Sequence, residues 1–218
     1  MAQADQPGQI VILNGVPRSG KSSIVAAIQE TFDGPWMNLG VDMYKGHVTP
    51  KRYHPSIGLR PGSVYPDLEP LVARFYAAMY ESIAAHSRLG LNVDVDVGHH
   101  DACSRPLGIL SDCARRLQGL SVLFVGVRCP IEVIVERRRN TWGRRPGADK
   151  DPDLRAVRLW QRAGHTPGIY DLEVDTSLLS PEACAQAIRK RLQEGPPPSA
   201  FHRLAAWSTE QDQSQSQR

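Results

Sequence analysis

Short apolar runs alternate with longer amphipathic stretches along most of the chain. The apolar runs are rich in β-branched side chains, which is typical of strands buried on both faces of a parallel sheet. They comprise residues 10–14, 36–41, 91–97, 121–127 and 172–175. Between them, hydrophobic side chains recur at helical spacing, which predicts helices with one buried face. We therefore predict an α/β fold of three layers (α/β/α), with a mostly parallel five-stranded sheet between two layers of helices.

Capping residues indicate where several helices begin and end. Gly90 is suited to end the helix whose apolar positions begin at Leu68, because glycine readily adopts the conformation that closes a helix. Ser104 and Pro106 predict the N-cap region and early first turn of the following helix. Ser180 predicts the beginning of the last helix.

Length and composition favour a single domain. The chain has 218 residues, of which 41% are hydrophobic and 22% are charged, as is ordinary for a globular protein. We predict a flexible N-terminus at residues 1–9 and one domain at residues 10–194. Residues 195–218 are rich in Pro and then in Gln and Ser, which predicts a mostly disordered tail. Phe201 and Trp207 are the side chains of this tail that would allow it to dock on the domain.

Charge, hydropathy and cysteine usage argue against several classes of protein. The net charge of +3 is too small to indicate a nucleic-acid partner, and no apolar run approaches the roughly 18 residues that span a bilayer. The N-terminus lacks the pattern of a secretory signal. The cysteines form no C-x-x-C pair, which favours reduced thiols in a cytoplasmic protein; they are Cys103, Cys113, Cys129 and Cys184. The chain is compatible with a monomer and with a homo-oligomer.

A glycine-rich motif, G-x-x-x-x-G-K-S, occupies residues 15–22 between the first predicted strand and the first predicted helix. In this context, backbone N–H groups and the helix N-terminus point at bound phosphates. We expect Lys21 to reach the β- and γ-phosphates of ATP and Ser22 to bind Mg²⁺. The alternative is a glycine-rich turn with an exposed lysine. The residues predicted to bind ATP are Gly15, Val16, Pro17, Arg18, Ser19, Gly20, Lys21, Ser22 and Ser23.

Asp42 follows the second predicted strand directly. Ligands of parallel sheets bind beyond the carboxyl ends of the strands, and in small P-loop kinases this edge faces the γ-phosphate from the acceptor side. A carboxylate there can accept the proton of an attacking hydroxyl. The alternative is that Asp42 caps the following turn through its own backbone.

Asp94 and Asp96 lie two positions apart in the third predicted strand and therefore share one face of the sheet. Because burying two carboxylates against a helix is costly, we expect both to lie near the open end of the strand. Asp96 is the better candidate to hold Mg²⁺ through water, and solvated aspartates on an edge strand are the alternative. His99 and His100 follow, and two adjacent histidines favour a contact with substrate over a metal site.

Arginines are concentrated after the fourth predicted strand, at Arg137, Arg138, Arg139, Arg144 and Arg145. Arginine forks can stabilise the charge that develops during phosphoryl transfer, so we predict a small Arg-rich lid at about residues 137–165. Consecutive arginines fan out around a helix, and at most one or two of them can face one ligand. An RNA-binding patch is the rival interpretation, but Trp142 is the one aromatic residue interleaved with these arginines.

Several of these segments together resemble the chloramphenicol phosphotransferase family of P-loop kinases. The matching segments, in order, are Asn14-Gly15 with Ser19-Gly20-Lys21-Ser22, then Leu39-Gly40-Val41-Asp42, Val125-Gly126-Val127-Arg128-Cys129 and Tyr170-Asp171-Leu172-Glu173-Val174-Asp175-Thr176. The resemblance spans roughly residues 10–192. It implies a P-loop NTPase fold and ATP-dependent phosphorylation of a hydroxyl on a small molecule, which in the archetype is the primary hydroxyl of chloramphenicol.

The resemblance also implies roles for individual residues. The proposed catalytic base of the family falls on Asp42, and its lid arginines fall near Arg137 and Arg145. Lys21 would be the lysine that positions the γ-phosphate. The chain departs from the archetype after the third strand, where it has Asp96-Val97 in place of Asp-Asp, and in the loop at residues 44–66.

Two other functions remain open at this point. One is a P-loop kinase with a different acceptor, such as a nucleoside, gluconate, shikimate or, in a toxin, a sugar nucleotide. The other is a nucleotide-dependent switch or RNA-binding regulator without turnover of a small molecule. The expected acceptor is a small-molecule hydroxyl, and inactivation of an antibiotic is one use of such a reaction.

Overall fold

A computed structural model describes residues 6–54, 61, 65–142 and 152–207, of which residues 141, 142 and 152–156 by backbone alone. Its centre is a sheet of five strands in the order β2-β3-β1-β4-β5, in which every pair is parallel. The strands are β1 (Ile10–Asn14), β2 (Trp36–Asn38), β3 (Asn92–Val97), β4 (Val122–Arg128) and β5 (Leu172–Asp175). The predicted fold class is confirmed.

Helices cover both faces of this sheet. In the described residues they are α1 (Lys21–Thr31), α2 (Val41–Met43), α3 (Glu69–Arg88), α4 (Ile109–Arg116), α5 (Ile131–Trp142), α6 (Pro152–Ala163), α7 (Pro181–Glu194) and α8 (Ala200–Ala206). A π-helical turn at Tyr44–Val48 and a 3₁₀ turn at Lys51–Tyr53 follow α2. No helix in these ranges combines the length and the apolar character that a membrane span requires.

The core lies in two layers because successive strand residues point to opposite faces of the sheet. Ile10 and Ile12 of β1 pack towards α3, α4 and α8. Val11 and Leu13 of the same strand pack towards α1 and α7. All four side chains are fully buried, which explains why the strands read as continuous apolar runs.

The loop between β3 and α4 is longer than the sequence predicts. The helix begins at Ile109, after Gly108 in the left-handed conformation, and the predicted beginning at Ser104 and Pro106 is wrong. The Asp101 carboxylate accepts hydrogen bonds from the Leu107 and Gly108 N–H groups and thereby organises the loop ahead of the helix.

Ser104 has another partner in the structure. Its N–H and hydroxyl both donate to the Glu69 carboxylate at the beginning of α3. These hydrogen bonds lower the pKa of Glu69. The loop after β3 is therefore fastened to α3.

Part of the predicted tail is a packed helix. In α8, Ala200, Phe201 and Leu204 are buried, and the Phe201 ring lies 5.1 Å from the Phe124 ring of β4, centroid to centroid. The Asp171 carboxylate accepts from the Ser199 and Ala200 N–H groups at 2.7 and 3.0 Å, which fixes the beginning of the helix. The prediction of disorder is therefore wrong for residues 200–206. It relied on the polar composition of residues 195–218 as a whole, which does not reveal one short apolar helix face. Residues 208–218 lie outside the described part of the chain.

Candidate active site

A cavity of about 700 Å³ lies at the carboxyl ends of the strands. Residues 15–22 (the P-loop) form its floor, and α2, the end of β3, α5 and α6 contribute its walls. The predicted site residues that line it are Gly15, Val16, Pro17, Arg18, Gly20, Lys21, Ser22, Ser23, Asp42, Asp96 and Arg137. Ser19 is fully buried and is not part of the lining. Arg145 lies outside the described residues.

The P-loop is shaped by close packing against the sheet. Gly15 donates its N–H to the Val97 carbonyl at 3.2 Å, and a Cβ at Gly15 would lie 2.6 Å from the Val127 carbonyl oxygen. Gly20 has a φ of 98°, which glycine adopts without strain. These positions require glycine, because a side chain would collide with the strands or strain the turn into α1.

Lys21 is folded back along the loop. Its Nζ donates to the Gly15 and Val16 carbonyls, each at 2.9 Å. Burial lowers the pKa of Lys21 to about 8, and the charges of Asp96 and Asp42 act in the opposite direction. The ammonium is thus held inside the cavity between the loop and two carboxylates.

Ser22 and Asp96 form the predicted pair for a divalent cation. The Ser22 hydroxyl donates to Asp96 Oδ2 at 2.7 Å, so α1 and β3 bring the two oxygen groups together. Hard oxygen donors fit Mg²⁺, which takes its other ligands from phosphates and water. The described residues contain no cluster of three or more His, Cys, Asp or Glu that could hold a metal by itself. The donor set therefore suits a cation that arrives with a nucleotide.

Gly40 gives Asp96 its position. A Cβ at Gly40 would overlap Asp96 Oδ1, so any larger residue would push the carboxylate aside. The Asn38 side chain accepts the Gly40 N–H at 2.9 Å and turns the chain away from the sheet. This turn ends β2 at Asn38, earlier than predicted, and leads into the short helix that carries Asp42.

Asp42 lies in the first turn of α2 and lines the cavity. Its charge is close enough to act on Lys21. The carboxylate therefore shares the cavity with Lys21 and with the Ser22–Asp96 pair.

Asp94 is not near the open end of its strand, and that prediction is wrong. It pairs with Val11 and Asn38 in the sheet and is fully buried. Among the described atoms, neither carboxylate oxygen has a hydrogen-bond partner. Burial and the neighbouring charge of Asp96 raise the pKa of Asp94 to about 7. The cost of burying a second charge is reduced because this carboxyl binds a proton near neutral pH.

Arg137 contacts the loop after β5. Its Nη2 donates to the Thr176 carbonyl at 2.7 Å and its Nη1 to the Thr176 hydroxyl at 3.0 Å. The same hydroxyl donates to the Ser19 carbonyl at 2.6 Å. Arg137 and Arg138 both line the cavity, in agreement with the limit that helix geometry sets for consecutive arginines.

Sequence reasoning missed Tyr76 of α3 and Trp160 of α6, which line the cavity together with Lys45. Nothing in the spacing of the sequence links these helices to the site. Thr176 directly follows β5, so the rule that placed Asp42 could have found it. His99 lies beneath the surface, where Nε2 is 2.7 Å from the Tyr80 hydroxyl, and burial lowers its pKa to about 3.

The comparisons with known proteins agree with this geometry. A family model described as chloramphenicol phosphotransferase-like protein matches residues 8–193. The chain is 28% identical, over 219 residues, to proteins from two strains of Mycobacterium tuberculosis whose names propose an O-phosphotransferase. The alignment covers 93% of this chain and 91% of each relative.

Solved structures show the same fold at low sequence identity. A sugar kinase from Janibacter sp. is 18% identical with a TM-score of 0.57, and the match covers 87% of this chain and 97% of that one. The APS kinase of Mycobacterium tuberculosis, solved with AMPPNP and APS, is 16% identical with a TM-score of 0.58, covering 86% and 99%. At such identities the likeness shows the fold alone.

Proposed function

Starting from the fact that this chain belongs to the chloramphenicol phosphotransferase-like family, we propose that it transfers the γ-phosphate of ATP to a hydroxyl of a small molecule. Membership of the family makes it an O-phosphotransferase, and its fold is that of P-loop kinases. The proposal adds the nucleotide, the cation, the residues that act and the class of acceptor.

One observation carries the proposal. Lys21, the Ser22–Asp96 pair and the carboxylate of Asp42 all face one cavity at the carboxyl edge of a parallel sheet. A site that only binds a nucleotide has no need of a carboxylate on the acceptor side. Asp42 is therefore what supports transfer over simple binding.

The residues divide the work as follows. Ser22 and, through water, Asp96 would hold Mg²⁺, which neutralises charge on the phosphates when it is bound. Lys21 would exchange its bonds to the Gly15 and Val16 carbonyls for phosphate oxygens. Backbone N–H groups of the P-loop would bind the remaining phosphate oxygens, as is typical of a glycine-rich loop that leads into a helix.

Asp42 is proposed as the general base. As the acceptor oxygen forms its bond to the γ-phosphorus, the bond from that phosphorus to the β–γ bridging oxygen breaks and ADP leaves. Asp42 accepts the proton that the hydroxyl loses. Arg137, held against Thr176 beside the P-loop, is proposed to stabilise the charge of the phosphates, and Arg145 is proposed as a second arginine of the lid at about residues 137–165.

The acceptor is proposed to enter between the long loop after Asp42 and the loop after Asp96. Val41 of α2, Tyr76 of α3 and Trp160 of α6 make the lining of the cavity partly apolar and aromatic, as suits an acceptor with an apolar portion beside its hydroxyl. Chloramphenicol is the first compound to test because of the family, and a cytoplasmic enzyme that phosphorylated it would inactivate the antibiotic. Kinases of the same fold with other acceptors supply the alternatives.

Transfer to a set of hydroxyl compounds tests the function. The full-length protein is incubated with MgATP and, separately, chloramphenicol, gluconate, shikimate and adenosine, and both ADP and the phosphorylated product are measured. We expect one acceptor class to yield product, and product to disappear in Asp42→Asn. ATP binding with ADP formed only by hydrolysis, with every acceptor, would contradict the proposal.

A further inference from the structure

Asn14 occupies an unusual place, as the last residue of β1 immediately before the P-loop. Its side chain is 2% exposed, and three hydrogen bonds of 2.8 Å fix it. Oδ1 accepts the N–H of His99, while Nδ2 donates to the Gly164 carbonyl and to the Tyr170 hydroxyl. One amide therefore joins the loop after β3 to the segment between α6 and β5.

The bonds of Asn14 fasten the end of α6. Gly164 directly follows this helix and donates its N–H to the Trp160 carbonyl at 2.7 Å. A Cβ at Gly164 would lie 2.9 Å from that carbonyl oxygen and 3.3 Å from the Trp160 ring. The next residue, His165, has its Nδ1 2.8 Å from the same Tyr170 hydroxyl that Asn14 contacts. The position of Trp160 is thus tied to the base of the P-loop.

Trp160 in turn packs against the loop after β3. A Cβ at Gly98 would lie 3.1 and 3.2 Å from two atoms of the Trp160 ring, so the ring rests directly on the glycine backbone. The His100 ring meets it edge-on, with centroids 5.0 Å apart. Asn14 binds a chain neighbour of each partner, since Gly164 lies four residues after Trp160 and His99 directly follows Gly98.

We propose that Asn14 is a positioning residue which keeps Trp160 against Gly98 and so excludes water from the back of the γ-phosphate site. The proposal rests on the proposed function, in which this cavity holds ATP. A second anchor, from the Gln161 side chain to the Cys129 carbonyl at 2.6 Å, attaches α6 to β4 but does not reach the loop after β3. Val157 and Trp160 also pack against Val16 and Ile134, which holds the body of α6. The amide of Asn14 adds a link between the end of this helix and the loop after β3.

Loss of this contact has a defined chemical consequence. In hydrolysis the oxygen of water forms the bond to the γ-phosphorus, the bond to the β–γ bridging oxygen breaks, and the products are ADP, inorganic phosphate and a proton. A site closed to water suppresses this reaction. We expect a loosened α6 to admit water while Lys21 and the turn into α1 keep their places.

The test uses the full-length protein with MgATP and no acceptor. We expect Asn14→Ala to raise the rate of ATP hydrolysis about tenfold, while the dissociation constant of Mg·AMPPNP stays within about twofold. Amide hydrogen exchange should increase at residues 157–168 and 98–100 and stay unchanged in α1. Asn14→Asp keeps an acceptor for the His99 N–H but cannot donate to Gly164, so it should resemble Asn14→Ala.

Asn92→Ala is the matched control. Asn92 begins β3 at the opposite edge of the sheet, and its Oδ1 accepts the Gln9 N–H at 2.9 Å. We expect it to leave hydrolysis unchanged. Tyr170→Phe, which removes one hydroxyl, is a milder second variant in case Asn14→Ala does not fold, and it should raise hydrolysis by a smaller factor.

The proposal is overturned if hydrolysis falls, or stays unchanged, in both Asn14→Ala and Tyr170→Phe. A fall in parallel with nucleotide affinity would show that Asn14 serves the fold alone. None of these measurements needs an acceptor. A failure to phosphorylate any hydroxyl compound would therefore overturn the proposed function, whereas the effect of Asn14 on ATP hydrolysis is measured independently of it.

Discussion

The Ser22 hydroxyl donates a 2.7 Å hydrogen bond to Asp96 Oδ2, although the two residues are 74 positions apart in sequence. The contact joins the first turn of α1 to the carboxyl end of β3, where the phosphates of a nucleotide are proposed to lie. The oxygen groups proposed to hold the cation are therefore assembled before any ligand arrives.

Asp96→Asn should weaken the binding of Mg²⁺ without abolishing the binding of the nucleotide. The amide keeps the size of the side chain but loses the charge that attracts Mg²⁺, so we expect the Mg²⁺ concentration for half-maximal activity to rise about tenfold to a hundredfold. Titration of activity with Mg²⁺ measures this shift. Calorimetry with AMPPNP in EDTA provides the control, because binding without the cation should change little. Equal Mg²⁺ dependence in the variant and the parent would refute the role of Asp96.

Gly40→Ala should damage the site although no functional group is lost. The new Cβ would overlap Asp96 Oδ1, so the carboxylate must move away from Ser22 or the turn before Asp42 must shift. We expect kcat to fall about tenfold or more, with a raised requirement for Mg²⁺. Gly46→Ala is the matched control, since no atom lies within 4 Å of its added Cβ. Steady-state kinetics of both variants at several Mg²⁺ concentrations measure the difference.

Asp42→Asn should abolish transfer and leave nucleotide binding intact. Removing a general base costs about a hundredfold to ten-thousandfold in rate, and the asparagine keeps the shape of the first turn of α2. The dissociation constant of Mg·AMPPNP should stay within about twofold of the parent. Product formation at saturating ATP is the readout. If a capping role were the main one, the variant would keep both its stability and its kcat, because the asparagine side-chain oxygen can still cap the turn.

The strand ends explain what could be predicted from the sequence. Asp42 and Asp96 were found because each follows or ends an apolar run, and the carboxyl ends of parallel strands share one edge of the sheet. The rule fails for Asp94, which lies in the middle of β3 and tolerates burial with a raised pKa. The alternation of polar and apolar residues does not show which polar positions lie at the end of a strand and which lie in its middle, covered by a helix.

The links between distant segments could not be predicted. The partners of Asn14 are 85, 150 and 156 positions away, so no periodicity relates them. The helix α8 was missed for a different reason, since its apolar face is one short turn within a polar segment. Both depend on tertiary packing, which overrides local composition.

Phe201→Ala should show that α8 is part of the core. The ring lies 5.1 Å from Phe124 and 6.4 Å from Tyr80, centroid to centroid, and loss of a buried phenylalanine costs about 3–5 kcal/mol in the free energy of unfolding. Urea denaturation followed by circular dichroism measures it. Leu89→Ala, at a side chain that is 75% exposed, should change the free energy by about 0.5 kcal/mol or less. An equal, small effect at both positions would mean that α8 does not contribute to stability.

His99 should make the protein less stable in mild acid. Burial lowers the pKa of His99 from about 6.5 to about 3, so below pH 6.5 the unfolded chain binds a proton that the folded protein does not. Stability from this group is complete above pH 6.5 and decreases as the pH falls towards 3. The parent should therefore lose more free energy of unfolding than His99→Gln between pH 7.5 and 5.5, by about 1.4 kcal/mol.

Urea titrations at the two pH values measure this difference, and two other histidines define the comparison. His165, whose pKa burial lowers to about 4, is unchanged in His99→Gln, so the variant should keep part of the pH dependence. His202→Gln, at an exposed position of α8, is the control substitution for a histidine on the surface. If the parent and His99→Gln had the same dependence on pH, His99 would take up its proton in the folded state, and its Nε2–H would then donate to the Tyr80 hydroxyl.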